Sequence, residues 1–146
     1  MTAVAFHFGA PDKIAYTCRL LRKAVNAGAT VEVVADISTT GLLSSQLWAL
    51  SGTDFVPHCT AADQGSLREL SPVLLTQMPT DNSVNRQVLV NLGSVIPAGY
   101  ERFERLIEVV GLEDADRSLA RERWRQYTLA GYKIARHDLA LKGANP

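Results

Sequence analysis

The chain opens on a short apolar run. Ala3 to Phe8 (AVAFHF) carries no formal charge and Gly9 closes it, the pattern of a buried strand. Pro11 suits the first turn of a helix. Ile14, Cys18, Leu21 and Val25 then recur at helical spacing, with Arg19, Arg22 and Lys23 to the sides and rear. Gly28, just past the last periodic residue, is a helix stop. Thr30 to Ala35 (TVEVVA) predicts a second strand. Strand, helix and strand at this spacing predict a right-handed βαβ unit with parallel strands.

Ser38, Thr39 and Thr40 offer N-caps for a second helix with Leu43, Leu47 and Leu50 as its inner stripe. Gly52 and Asp54 break it. Phe55 to Cys59 (FVPHC) reads as extended, and Pro57 places it at an edge or an end. Ala61 to Glu69 is expected as a loop, Pro72 to Gln77 as a strand, Pro79 to Arg86 as a polar loop and Gln87 to Leu92 as a strand. Two helices are expected to close the chain. One runs from Gly99 to Val110 with Phe103, Leu106, Ile107 and Val110 inward, the other from Glu113 to Arg136. Residues 137–146 read as a frayed tail. Helices alternating with short strands predict an α/β fold, a single three-layer domain over residues 1–146. Its central sheet is expected to be mostly parallel (mixed), Rossmann-like but without a nucleotide motif.

Composition narrows the functional classes. The chain has 146 residues, and fifteen basic side chains cancel fifteen acidic ones. A protein that grips the DNA backbone over a long footprint carries an excess of positive charge, so contact with DNA is expected to be local or mediated by a partner. Cys18 and Cys59 have no metal-ligand spacing and read as small core residues. No basic segment followed by a long apolar stretch opens the chain, and no run approaches the ~20 apolar residues of a membrane span. The expectation is a cytoplasmic protein without a membrane segment.

Catalytic chemistry finds little support. A nucleotide site wants glycines after the first strand, where backbone N–H groups meet phosphate. Here that turn reads FGAPDK, with one glycine and with Pro11 removing an N–H. Neither GxGxxG nor GxxxxGK[ST] occurs. His7 reads as a satisfied strand histidine, His58 pairs with nothing at readable spacing, and His137 sits where a helix end would favour a cation. Asp12, Asp36 and Asp54 stand near strand ends, where α/β enzymes keep carboxylates but where acidic loops are also common. No cofactor and no metal is expected. A small Rossmann-like nucleotide- or metabolite-binding enzyme, with a polar pocket near Gly9 and Asp36, stays as the alternative.

The remaining signals concern binding. Helical geometry sets Trp48 well off the Leu43, Leu47, Leu50 stripe. With Phe55, Val56 and Pro57 close behind, it could build an exposed apolar patch, or it could fold over a second core contact. In ADRSLARERWRQYTLAGYKIAR, Ala120, Trp124, Tyr127, Gly131 and Ile134 share one stripe. Arg117, Arg121 and Arg125 recur every four residues beside it. Arginines bordering a buried aromatic stripe can form a groove suited to a terminal carboxylate with acidic side chains and one hydrophobic anchor, or simply a solvated basic face. Gly131 mid-stripe points to a close backbone approach or a kink.

Both segments carry a family resemblance. LWALSGTDFVPH, with its Leu-Trp pair and its Phe-Val-Pro-His, resembles the helix-to-strand segment of DNA polymerase III chi subunits. RERWRQYTLAGYK, with its Arg-x-Arg-aromatic core and Gly-aromatic pair, resembles that family's closing helix. The resemblance implies a non-catalytic replisome subunit. Its implied partners are the psi subunit, which tethers chi to the clamp loader, and the acidic C-terminal tail of single-stranded-DNA-binding protein; DNA is reached only indirectly. Carried over by position, it implies tail binding by Arg121, with Arg117, Arg125 and Trp124 beside it. It also implies a psi-facing patch at Trp48, Phe55, Val56 and Pro57.

Overall fold

The computed structural model describes residues 2–50, 56–60, 71–79 and 86–139. Phe55 and Asp54, the expected loops over 61–69 and 80–85, and residues 140–146 lie outside the described residues. In chain order the elements are β1 (Ala3–Ala10), α1 (Lys13–Asn26), β2 (Val31–Val34), α2 (Ile37–Ala49), β3 (His58–Thr60), β4 (Val73–Thr76) and β5 (Val88–Asn91). After a 3-10 turn at Tyr100–Arg102 come β6 (Arg105–Gly111), α3 (Asp114–Leu129) and β7 (Ile134–Asp138). The strands form one sheet in the order β3-β4-β2-β5-β6-β1-β7. Every strand pair in it is parallel.

Two apolar layers sandwich the sheet, as an all-parallel sheet requires. Leu21 of α1 and Leu43 and Leu47 of α2 pack with Val31, Val33, Val73, Val90 and Val109 on one face. Ala120 and Tyr127 of α3 pack with Val4, Phe6, Leu89, Leu106 and Val110 on the other. The expected strands at the N-terminus, at β4 and at β5 are present, and β3 sits at an edge directly after Pro57.

Three expectations about the C-terminal third are overturned. The segment expected as a helix from Gly99 to Val110 is mostly β6, a central strand buried from Leu106 to Gly111. Leu106, Ile107 and Val110 fit a helical stripe, but Leu106 to Val110 is also rich in β-branched residues and is apolar at every position except Glu108. Such a run can be buried on both faces: Leu106 and Val110 enter the α3 layer, Ile107 and Val109 the α1 layer.

The last helix also ends sooner than expected, at Leu129. Gly131 adopts φ 96°, its N–H donates to the Thr128 carbonyl at 3.0 Å, and Tyr132 N–H donates to the Tyr127 carbonyl at 3.1 Å. This paired 5→2 and 6→1 closure is a Schellman stop, in which glycine avoids the left-handed penalty. No atom lies within 4 Å of where a Cβ on Gly131 would stand, so neither a close approach nor a kink explains it. Ile134 leaves the helical stripe and joins β7 beside Val4. His137 and Asp138, expected in a frayed tail, complete β7, and Leu139 is buried in the α1 layer.

Candidate functional site

The carboxyl end of the sheet holds the main groove. After β1 the chain turns onto the α1 face; after β6 it turns onto the α3 face. Adjacent strands whose connections leave in opposite directions open a crevice at their carboxyl ends. Phe8, Gly9, Gly111 and Leu112 form the floor of a cavity of about 570 Å³, with Arg117, Arg121 and Trp124 of α3 on one wall and Arg136 and Asp138 of β7 on the other. Three guanidinium groups against one carboxylate leave the groove cationic.

Packing behind the groove fixes these side chains. Trp124 is half-buried, its ring 5.1 Å from Phe6 and 5.9 Å from Phe8. Arg136 lies over the Phe8 ring at 5.3 Å, a cation–π contact, with Asp138 Oδ2 at 3.9 Å. Beneath them, Arg123 of α3 is buried against the equally buried Glu108 of β6. Arg123 Nε donates to Glu108 Oε1 at 3.1 Å and Tyr127 Oη donates to Oε2 at 2.7 Å. Asn91 Nδ2 reaches both oxygens at 3.1 Å, and Arg123 Nη1 donates to the Ser94 carbonyl at 3.0 Å. Burial pushes the Glu108 carboxyl up from its ordinary value, while the Arg123 charge and three side-chain donors pull it back. Burial, with the Glu108 charge beside it, raises the Tyr127 phenol well above its ordinary value. This network locks the rotation of α3, so Arg121 and Trp124, two residues before and one after Arg123, face the groove.

Arg125 stands apart. It lies on the outer face of α3 and pairs with Glu122 at 2.6 Å, away from the cavity lining. A four-residue step advances about 40° around a helix, so Arg125 has rotated roughly 80° past Arg117.

The carboxylates near strand ends have structural roles. Asp12 caps α1 by accepting from Ala15 N–H at 3.0 Å. Asp36 caps α2 by accepting from Thr39 N–H at 2.7 Å, a bond that holds its carboxyl below the ordinary range. The cavity includes Gly9 but not Asp36. Asp114 and Asp116 fill the first turn of α3. Asp116 accepts from Gly111 N–H at 2.8 Å and pairs with Lys13 at 3.2 Å. Negative charge there opposes a phosphate at this helix N-terminus. Among the described residues no group of three or more His, Cys, Asp or Glu is placed to hold a metal ion, and no helix is long and apolar enough to cross a membrane.

The opposite end of the sheet carries the second surface. Trp48 is 65% exposed near the end of α2, its ring 5.3 Å from His58. His58 Nδ1–H donates to the Val56 carbonyl at 2.9 Å, leaving Nε2 to accept from Ser44 Oγ at 3.0 Å. The imidazole thus ties α2 to the edge strand and supports the indole. Pro57 is exposed beside it, whereas Val56 is buried in the α1 layer and can meet a partner only by shaping the backbone above it. Ile37, 76% exposed, lies on the same helical line as Trp48, eleven residues away, with Gly41 and Ser44 between them. Gly41 and Ser44 line a cavity of about 360 Å³ with Thr60, Leu75 and Gln77. Ile37, Arg136 and the Arg123–Glu108 pair are the residues that sequence reasoning missed.

Comparison with known proteins decides the family. The model for "DNA polymerase III chi subunit, HolC" matches residues 1–135. The chain belongs to the DNA polymerase III chi subunit family. DNA polymerase III subunit chi of Pseudomonas aeruginosa is 33% identical over 129 residues, 87% of each chain. Its namesake from Haemophilus influenzae is 25% identical over 123 residues, 84% of each chain. Among solved structures, the C-terminal domain of S. cerevisiae Dbp5 superposes with a TM-score of 0.62 over 94% of this chain and 90% of that one. At 12% identity this likeness shows a shared fold alone. As a chi-family chain, the protein is an accessory subunit of the replicative polymerase.

Proposed function

We propose that this chi-family protein is a non-catalytic adaptor of the bacterial cytoplasm. It binds the acidic C-terminal tail of single-stranded-DNA-binding protein in the α3 groove and the psi subunit of the clamp-loader assembly through the Trp48 surface, reaching DNA only through its partners. The observation that carries this reading is the convergence of Arg117, Arg121 and Arg136 around the aromatic rings of Phe8 on the floor and Trp124 on the wall. Guanidinium groups recognise a terminal carboxylate and acidic side chains by charge-assisted hydrogen bonds, and the aromatic floor accepts one hydrophobic side chain. Arg121 is the central donor, Arg117 and Arg136 flank it, and Trp124 forms the anchor's wall. Arg125, turned away and paired with Glu122, contributes long-range field rather than contact.

The psi-facing assignment draws on different chemistry. Trp48 is a large exposed aromatic held rigid by His58, the residue type enriched in interface hot spots. Pro57 stiffens the adjoining edge with the buried Val56 behind it, and Phe55 carries the family's aromatic position.

Titration calorimetry with the host tail peptide tests the groove. Arg121→Ala is expected to weaken binding about tenfold or more, from ~1.5–3 kcal/mol for a charge-assisted hydrogen bond, with the fold intact by circular dichroism. Unchanged affinity in that variant would overturn the tail reading.

A further inference from the structure

β7 is the last strand of the sheet, and among the described residues no strand pairs with its outer side. Its bonding directions follow from two contacts. Leu139 N–H donates to the Phe8 carbonyl at 2.9 Å, so odd-numbered residues of this segment turn their backbone groups toward β1. Ala3 N–H donates to the Glu104 carbonyl at 2.9 Å, so odd-numbered residues of β1 turn toward β6 and even-numbered ones toward β7. The N–H and C=O of one strand residue share a side, and the side alternates along the strand. The backbone groups of Ile134 and Arg136 therefore point outward. Side chains alternate as well, and that of Arg136 turns onto Phe8 and into the groove. A single residue thus presents main-chain donor and acceptor at the edge and a guanidinium in the cavity.

We propose that an acidic tail anchored in the groove continues along this edge as an added strand parallel to β7. The direction is set by geometry. The groove lies at the carboxyl ends of β1, β6 and β7, so a chain whose terminal carboxylate sits there, and whose preceding residues follow β7 back to Ile134, runs with β7. An exposed edge is ordinarily guarded by charge against unwanted pairing. Here the guards are Lys133, Arg136 and, at the carboxyl end, Asp138; two cations against one carboxylate repel cationic strands and attract an acidic one on balance. Main-chain pairing would supply affinity, and alternate acidic side chains would meet Arg136.

The inference rests on the tail reading, and residue-resolved amide hydrogen exchange separates the two. With labelled protein and the host tail peptide, exchange at Ile134 and Arg136 is expected to slow in proportion to occupancy. Ala135 and His137, already turned to β1, should change little. Peptides N-methylated one position at a time should bind about fivefold more weakly at alternate positions, the effect of one net backbone hydrogen bond, and normally between them. Groove signals that shift on binding, with Ile134 and Arg136 exchange unchanged and N-methylation tolerated at every position, would overturn strand addition and leave the tail reading in place. A peptide that shifts no groove signal would overturn both.

Discussion

At the β7 end of the sheet the exposed chemistry is three guanidinium groups around a half-buried indole; at the β3 end it is a largely exposed indole with a proline and an isoleucine, and no charge in the line between Ile37 and Trp48. One domain has thus kept two surfaces with opposite physics about as far apart as its sheet allows. On the proposed function the first would act through charge-assisted bonds, which depend on geometry and ionic strength. The second would act through apolar burial, which depends on neither to the same degree. The difference lies in how each helix meets the sheet. α3 is fastened by a buried ion pair that turns its arginines toward a crevice. α2 is fastened by Leu43, Leu47 and the uncharged Thr40 on its inner side, with no buried ion pair among the described residues, leaving Ile37 and Trp48 facing out.

The sharpest way to break this contrast is to remove the fastening. Arg123→Met leaves Glu108 buried without its cation and is expected to cost about 3–5 kcal/mol, read by urea unfolding. The double variant Arg123→Met with Glu108→Gln should recover a large part of that loss, because no lone charge stays behind. The pH dependence carries a sign. In the single variant the carboxyl is raised further, so the folded state holds a proton that the unfolded state has released. Stability is then fullest below the ordinary carboxylate range and is lost as pH rises through the raised value. A single variant as stable as the parent would show that α3 is oriented by its apolar stripe alone.

Trp48→Ala addresses the other end. It is expected to weaken psi binding by about 2 kcal/mol or more, a hot-spot magnitude, while stability shifts by no more than about 0.5 kcal/mol, as for exposed positions. Tail-peptide affinity should not move, because the two sites share no residue. Loss of both affinities in this variant would merge the two surfaces into one.

How far these features can be read from the sequence depends on what each position advertises. Gly28 and Gly131 end helices in the same way, with φ 86° and 96° and the same pair of closing bonds. The first is legible because periodicity stops at it; the second is hidden because Ile134 happens to extend the stripe of Ala120, Trp124 and Tyr127 past the stop. Leu106 to Val110 misleads for a related reason. Glu108 breaks the run with a charge, so it looks like the polar side of a helix, and only Arg123, fifteen residues on, explains why a carboxylate can sit in a central strand. Arg121 and Trp48 stand out because their neighbours fix a helical face. Arg136 and Ile37 do not, since one needs the strand β7 and the other needs the rotation of α2 to become visible.

Ionic strength gives a smaller but cleaner separation. Raising salt from about 0.05 M to 0.5 M should weaken the tail complex severalfold, since partly exposed guanidinium–carboxylate contacts are screened. The psi complex should hold or tighten slightly. Parallel titrations of both partners on one protein preparation would show it, and equal salt slopes would contradict the assignment of opposite chemistries.

The smallest effect is expected at Arg125, and it discriminates well for that reason. The residue belongs to the same every-four-residues series as Arg117 and Arg121, so a reading from spacing alone would give all three comparable weight. The structure turns Arg125 out of the cavity lining, and Glu122 already holds its guanidinium through Nε at 3.2 Å and Nη2 at 2.6 Å. Glu122, held low by that same bond, keeps the pair locally neutral. Arg125→Ala should therefore change tail affinity by less than about twofold, because exposed ion pairs contribute little and only their distant field reaches the groove. Glu122→Ala offers the converse test. Freeing Arg125 from its partner should strengthen tail binding slightly at low salt and leave it unchanged at high salt. A tenfold loss in Arg125→Ala would mean that the tail crosses α3 rather than following the crevice, and would relocate the recognition surface to the helix's outer face.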